Sequence, residues 1–407
     1  MARSYTEPAR SSGRRSKLDR ILSLDDFERE AKRYLPTPIF GYIAGAAEEN
    51  RSLSENRAAF AEHAFVPRAM TGVVGRSLET EILGQTWAAP FGIAPMGLAA
   101  IAGYRADIAM ARAAATAGIP SVLSGSSLTR LEDVANAAPD SWFQAYLPGD
   151  VDQIDLLLDR VAAAGYRTLV ITVDVPVMGN RENLIRAGFS TPLRPSLRLA
   201  MQGLMRPSWL AGTFLRTLAR HGMPHFENSF AHRGAPIIAR NVLRDFSGRE
   251  HLNWSHIAHI RAKWTGPLIV KGILSPADAV IARDTGADAV ILSNHGARQL
   301  DGAIAPLRTL PAVVKAVPDL PVMLDSGVRR GADVIKALAL GARFVFVGRP
   351  FLYAAAIGGE AGVSHAIEIL SSEIDRNVAL LGLTSVNDIS EDVLAPIRGP
   401  SPLRDPD

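Results

Sequence analysis

Residues 160–174 read RVAAAGYRTLVITVD: an alanine-rich helical end, a glycine at position 165, then a β-branched run that closes on Asp174. Glycine there supplies the left-handed residue that ends a helix and turns the chain into a strand. The pattern returns as ARAAATAGIPSVLS over 111–124, ARDTGADAVILSN over 282–294 and ALALGARFVFVGR over 337–349, with Gly118, Gly286 and Gly341 in the same place. Helix, turn and strand recurring in this way is βα repetition. Completing it predicts eight strands, at 91–94, 121–124, 142–147, 168–174, 267–271, 289–293, 321–325 and 344–348. Most are short continuous apolar runs, as parallel strands covered on both faces should be. Eight in this order predict an α/β chain folded as a (β/α)8 TIM barrel. The rival, an open doubly wound sheet, lacks its fingerprint, because APMGLAA after the first strand is not G-x-G-x-x-G.

Composition agrees with a large packed core: 407 residues, 47% hydrophobic, with 34 Gly and 26 Pro to punctuate short elements. The absence of Cys excludes disulfides, thiolate nucleophiles and thiolate metal sites, and the nine His show no ligand pair that would hold zinc. A formal charge of +3 is too small to imply nucleic-acid binding. Six basic residues among Ser, Gly and Pro make residues 1–20 a disordered basic leader, with no apolar stretch like a signal peptide. The barrel unit is expected over 21–390, followed by a tail over 391–407. No run of about 20 apolar residues suits a spanning helix. The expected location is the cytoplasm or the inner face of a membrane.

Two segments fall outside the barrel pattern. Residues 24–66 read as helices, with LDDFEREAKRYL followed by the Pro-broken LPTPIFGYIAGAAEEN. A long insertion, at about 182–253, follows the fourth strand and exceeds any ordinary loop. Between positions 186 and 233 it holds seven Arg against one acid, Glu227, and Trp209, Leu210, Phe214, Leu215 and Leu218 recur at helical spacing. Such a basic amphipathic stretch suits an anionic lipid surface, and equally a lid or a subunit contact.

In a (β/α)8 barrel, chemistry collects at the C-terminal ends of the strands. Here those ends carry Pro95, Met96 and Gly97; Ser124; Gln144 and Tyr146; Thr172 and Asp174; Lys271; His295 and Arg298; Asp325 to Gly327; and Gly348 with Arg349. A purely structural barrel has no need of so many polar ends. In VILSNHGARQLDG, over 290–302, a turn presents His295 and Arg298 three positions apart. His ionises near neutrality and Arg grips a carboxylate with two bonds, so the pair suits proton removal from a small organic acid. A lone His in a turn is otherwise an ordinary polar loop residue.

With these residues assembled, the chain resembles the FMN-dependent L-2-hydroxy acid dehydrogenase and oxidase family over roughly residues 24–389. The resemblance rests on LPTPIFGYIAGAAEEN, WFQAY, TVDVPVMGNRE, VKGI, SNHGARQLDG, LDSGVRRG and VGRPFLY in combination. It implies that His295 is the active-site base and that Asp174 orients its imidazole. It further implies that Arg181, Arg298 and Tyr42 bind the substrate carboxylate, with Tyr146 near the hydroxyl. Pro95, Met96, Gly97, Ser124, Gln144, Thr172, Lys271 and Ser293 would contact the flavin ring, with Lys271 beside N1 and O2. Asp325, Ser326, Gly327, Arg329, Gly348 and Arg349 would hold the ribityl and phosphate, in line with the phosphate site of such barrels.

The implied reaction is oxidation of an (S)-2-hydroxy acid, lactate-like or mandelate-like, to the 2-oxo acid. His295 would take either the hydroxyl proton or the α proton. The implied acceptor is a quinone or a cytochrome, and the implied assembly a homotetramer. Two residues depart from the oxidases of the family: Gly97 stands where they have Ala, and Ser126 where glycolate oxidase-like members have Trp. Both suggest a dehydrogenase with a wider pocket. The rival readings are a peroxide-forming oxidase, another flavin reaction on the same barrel, and a non-catalytic flavin-binding membrane protein. An intact set of His295, Arg298 and Arg181 weighs against the last two.

Overall fold

The computed structural model describes residues 17–190, 194, 197–239 and 249–397. Eight parallel strands form its centre: β1 (Phe91–Ile93), β2 (Val122–Ser124), β3 (Trp142–Ala145), β4 (Leu169–Thr172), β5 (Leu268–Ile273), β6 (Ala289–Leu292), β7 (Val322–Leu324) and β8 (Phe344–Val347). They pair in chain order, and β8 pairs with β1. A bridge between Ile93 and Ser121, with Ile93 N–H donating to Pro120 O at 2.9 Å, joins β1 to β2 and closes the ring. Each strand lies at or within two residues of its expected position, and the expected (β/α)8 barrel is the fold.

Outside the ring run α1 (Ala106–Ala117), α2 (Leu131–Ala137), α3 (Val151–Ala163), α4 (Trp254–Lys263), α5 (Pro276–Asp284), α6 (Pro306–Ala316), α7 (Gly331–Ala339) and α8 (Arg349–Leu380), the last bent at Gly359. The glycines that end the repeats, Gly118, Gly165, Gly286 and Gly341, all have positive φ, as the left-handed helix ending requires. Side chains alternate along the strands. In β8, Phe344 and Phe346 pack inside the barrel with Trp142, whereas Val345 and Val347 face the helices. Both faces are therefore apolar, which is why the sequence shows runs rather than alternation. Truncating the fully buried Phe346 to Ala would cost about 3–5 kcal/mol.

A hairpin of Thr80–Ile82 and Gln85–Trp87 lies against the barrel interior, and Trp87 meets Trp142 edge-on at 6.5 Å. It escaped the sequence reading because its turn places Leu83, not the usual Asn or Gly, at φ 53 before Gly84. The N-terminal segment forms helices Leu24–Tyr34, Thr37–Ala44 and Arg51–Ala61. Ser23 and Asp26 make a capping box at the start of the first. Asp301, at the end of the His295 turn, accepts the backbone N–H groups of Glu49, Arg51 and Ser52 at 2.8–3.2 Å. Asn294 and Asn56 exchange buried amide bonds at 2.8 and 2.6 Å. Half of the His295 motif therefore fastens the helix Arg51–Ala61, which follows the one that carries Tyr42.

Residues 1–16 of the expected leader lie outside the described residues, and Leu18–Arg20 is a single 3-10 turn. Of the expected tail, Leu394–Pro396 pairs antiparallel with His63–Phe65, and 398–407 lie outside the described residues. The insertion forms helices Glu182–Ala187, Leu197–Leu204, Pro207–Trp209 and Arg216–His221, with a π-helical turn at Leu210–Leu215. The apolar stripe expected over 209–218 is not one outward face. Trp209 does not share an outward apolar face with Phe214 and Leu215; it is 6% exposed and donates Nε1–H to Ile101 O at 2.9 Å. Its indole needed a buried acceptor, and the barrel's first loop supplies one. Among the described residues no helix is long and apolar enough to cross a membrane.

Candidate active site

The C-terminal mouth of the barrel opens into a cleft with about 1070 Å³ of empty space. Its walls contain Tyr42, Pro95, Met96, Gly97, Tyr146, Thr172, Arg181, Lys271, His295, Arg298, Asp325, Ser326, Gly327, Arg329, Gly348 and Arg349. Ser124, Gln144, Asp174 and Ser293 stand one layer behind. Ser293 accepts from Lys271 Nζ at 2.8 Å and Ser124 donates to Gln144 Oε1 at 3.1 Å. All of the residues singled out from the sequence are thus gathered at one end of the barrel.

His295 sits at its centre, in the left-handed region at φ 58. Its Nδ1 lies 2.9 Å from Asp174 Oδ1 and its Nε2 lies 3.2 Å from Tyr146 OH. Burial pushes the Asp174 carboxyl up, but His295 and Lys271 more than reverse this and leave it below the usual carboxylate range. An ionised carboxylate only accepts hydrogen bonds, so Nδ1 carries the proton and Nε2 presents a lone pair toward Tyr146 and the cleft. For His295, burial outweighs the attraction of Asp174, with Lys271 and Arg181 adding to it, so its pKa falls below the ordinary value. The imidazole is neutral at pH 7, the state a base requires.

Lys271 is buried. Burial alone would lower its pKa, but Asp325 at 3.0 Å, together with Asp174, holds it above the usual lysine value. It remains a fixed cation in the cleft wall.

The arginines are held by backbone that the motif reading passed over. Arg298 donates to Gly45 O at 2.7 Å and Arg349 to Ile43 O at 2.9 Å and Gly296 O at 2.7 Å. Arg181 donates to Arg298 O at 2.8 Å and to the Gln299 side chain. Gln299 lies inside the quoted motif, but nothing marks it from sequence alone, because its partners come from other loops. Gly179 is required where these loops meet, since a Cβ there would stand 2.5 Å from Gln299 O.

The donors fit FMN. Gln144 Nε2 is buried with no hydrogen-bond partner among the described residues, a donor suited to a polar ring edge. Arg349 begins α8, and burial, with Arg298 and Arg329 nearby, pushes its guanidinium down to about 9. A helix N-terminus beside crowded buried cations is a place that favours a phosphate dianion. Lys271, a buried cation in the cleft wall, could stabilise negative charge on a reduced ring.

The chain matches the model described as "FMN-dependent dehydrogenase" over residues 31–396. It is 37% identical over 375 residues to the (S)-mandelate dehydrogenase of Pseudomonas putida, covering 92% of this chain and 94% of that one. It is 38% identical over 380 residues to an L-lactate dehydrogenase of Xanthomonas campestris pv. campestris (strain B100), covering 92% and 97%. The solved structure of the "monotopic membrane protein (S)-mandelate dehydrogenase" superimposes with a TM-score of 0.83 at 35% identity, covering 93% of this chain and 100% of that one. A match of nearly whole length in sequence and fold, around a cleft with this donor set, places the chain in the FMN-dependent dehydrogenase family, as a 2-hydroxy acid dehydrogenase.

Proposed function

We propose that the enzyme oxidises (S)-2-hydroxy acids with a medium or aromatic side chain, such as lactate or mandelate, and passes the electrons to a quinone or cytochrome at a membrane surface. The observation that carries the reading is His295 Nε2 turned into the cleft, with Asp174 behind it and Tyr146, Arg181 and Arg298 around it. Arg181, Arg298 and Tyr42 hold the substrate carboxylate, which aims the hydroxyl at Tyr146 and His295. His295 removes one proton, from the hydroxyl or from the α carbon, and Asp174 stabilises the imidazolium that results. FMN, when bound, would accept the two electrons that leave the α carbon together with the second proton.

Breadth at the substrate end is supported by Gly97 and Ser126, which both line the cleft with little side-chain bulk. Small residues here leave room for a side chain and give glycolate little to touch, at roughly 1–3 kcal/mol per methylene-sized contact. Membrane association is supported by Leu197, Met201 and Leu204, spaced as one helix face and 85%, 59% and 67% exposed. The solved mandelate dehydrogenase named above is itself described as monotopic.

The test is anaerobic mixing of the FMN-loaded protein with a panel of 2-hydroxy acids, followed by reoxidation with oxygen or a quinone analogue. Flavin bleaching with mandelate or lactate ahead of glycolate, and faster reoxidation by the quinone, are expected. Glycolate as the best substrate would contradict the wide pocket. Fast reoxidation by oxygen alone would favour an oxidase.

A further inference from the structure

A second groove, with about 960 Å³ of empty space, opens between α1, the bend of α8 and the insertion. Arg105, the left-handed N-cap of α1, and Ile108, Ala109 and Arg112 on the helix itself line one wall; Arg112 lies four residues from Ile108 and three from Ala109, so an arginine stands at each end of a small apolar floor. Arg216 comes from the opposite wall, its guanidinium over the Tyr104 ring at 3.9 Å, and Tyr104 OH is within 2.9 Å of His221 Nε2. Gly212, Ala355, Ala356, Gly358 and Gly359 leave the groove open, and α8 itself departs from helical geometry at Gly359, with φ 56 and ψ −139.

The groove is positively charged. Among the described residues no carboxylate pairs with Arg112 or Arg216, Arg105 approaches Asp133 only to 3.9 Å, and Glu360 is the one acid in the wall. The wall also borders apolar surface, because the π-helical turn that contributes Gly212 and Thr213 also exposes Phe214 and Leu215. Cations lying beside exposed apolar side chains match the order of a lipid monolayer, with phosphate next to hydrocarbon.

We propose that this groove binds the headgroup phosphate of an anionic phospholipid, gripped by Arg112 and Arg216 and flanked by Arg105, when the apolar face of the insertion enters the bilayer. The proposal rests on the membrane reading above and adds a defined site to it. Arginine forks grip phosphate with two parallel bonds, whereas lysine offers only a point charge, so charge and recognition can be separated.

The test is co-sedimentation of the FMN-loaded full chain at pH 8. Phosphatidylcholine vesicles carry either phosphatidylglycerol or cholesterol hemisuccinate at matched negative charge. The wild type is expected to prefer phosphatidylglycerol. The Arg112→Lys/Arg216→Lys pair should keep its binding to hemisuccinate vesicles and lose the preference. The Arg112→Gln/Arg216→Gln pair should bind phosphatidylglycerol vesicles roughly fivefold more weakly per arginine removed. Arg220→Gln, on the same insertion but outside the groove, should retain the preference. All variants should keep their turnover with a soluble acceptor, which reports folding.

Binding without preference, unchanged in the Lys pair, would overturn the site and leave the membrane reading standing. Failure of the wild type to bind either vesicle would overturn the membrane reading itself. Inorganic phosphate that stabilises the wild type and not the Gln pair, in the absence of any lipid preference, would assign the groove to a soluble phosphate and overturn the lipid proposal.

Discussion

Gly272 stands against Asp174: a Cβ at position 272 would lie 2.7 Å from both Cβ and Cγ of the carboxylate residue. The strand that carries Lys271 bulges immediately after it, with Gly272 at φ 105, and the bulge makes room for Asp174 behind His295. Lys271 and Asp174 thus owe their proximity to one residue that has no chemistry of its own. Gly272→Ala should cost about 1–3 kcal/mol in backbone strain alone and should also displace Asp174. Urea unfolding and kcat check it together. An unchanged midpoint with full activity would show that the bulge is dispensable.

Asp174 raises the pKa of His295, and burial lowers it further than Asp174 raises it. The acid limb of kcat/KM should therefore fall below the ordinary histidine value of 6.5 in the wild type. Asp174→Asn removes the attraction that favours the protonated ring, so the limb should move to still lower pH while the plateau falls by about 10²-fold or more. A limb that moves upward in this variant would refute the assigned electrostatics.

Arg298→Lys replaces a planar fork held by Gly45 O with a flexible point charge. KM should rise and kcat should fall together, because a carboxylate anchored on Arg298, as proposed, would also set the angle of the α carbon toward the base. Steady-state kinetics with the preferred substrate decide the matter, and a change in KM alone would make Arg298 a binding residue without an orienting part.

Arg349 is a buried cation crowded by Arg298 and Arg329, and a phosphate bound beside it, as proposed for FMN, would relieve that crowding. Arg349→Met should weaken FMN binding by roughly 10- to 100-fold, the worth of one charge-assisted hydrogen bond. Titration of the flavin-free protein, followed by fluorescence quenching, measures it. Equal affinity would move the phosphate elsewhere.

The barrel was legible because the repeated glycines act locally, and a helix that ends in a left-handed residue needs no distant partner to announce itself. The site was legible for a related reason: barrel topology brings every strand end to one mouth, so polar residues far apart in sequence could be assigned to one cleft. Long-range pairing hid the rest. Asn294 and Asp301 sit in the most chemical-looking motif of the chain, yet they fasten the N-terminal helices through Asn56 and Ser52. Trp209 fitted a helical apolar stripe, yet it packs into the core with its Nε1–H on the carbonyl of Ile101, more than a hundred residues earlier.

The account turns on His295 Nε2 as the base, and His295→Gln examined by anaerobic stopped flow tests this most directly. The variant should retain FMN, since the residues assigned to flavin and phosphate are untouched, and the flavin should be reduced by the preferred 2-hydroxy acid about 10²- to 10⁴-fold more slowly than in the wild type. A His295→Gln enzyme that bleaches at the wild-type rate would contradict the central claim.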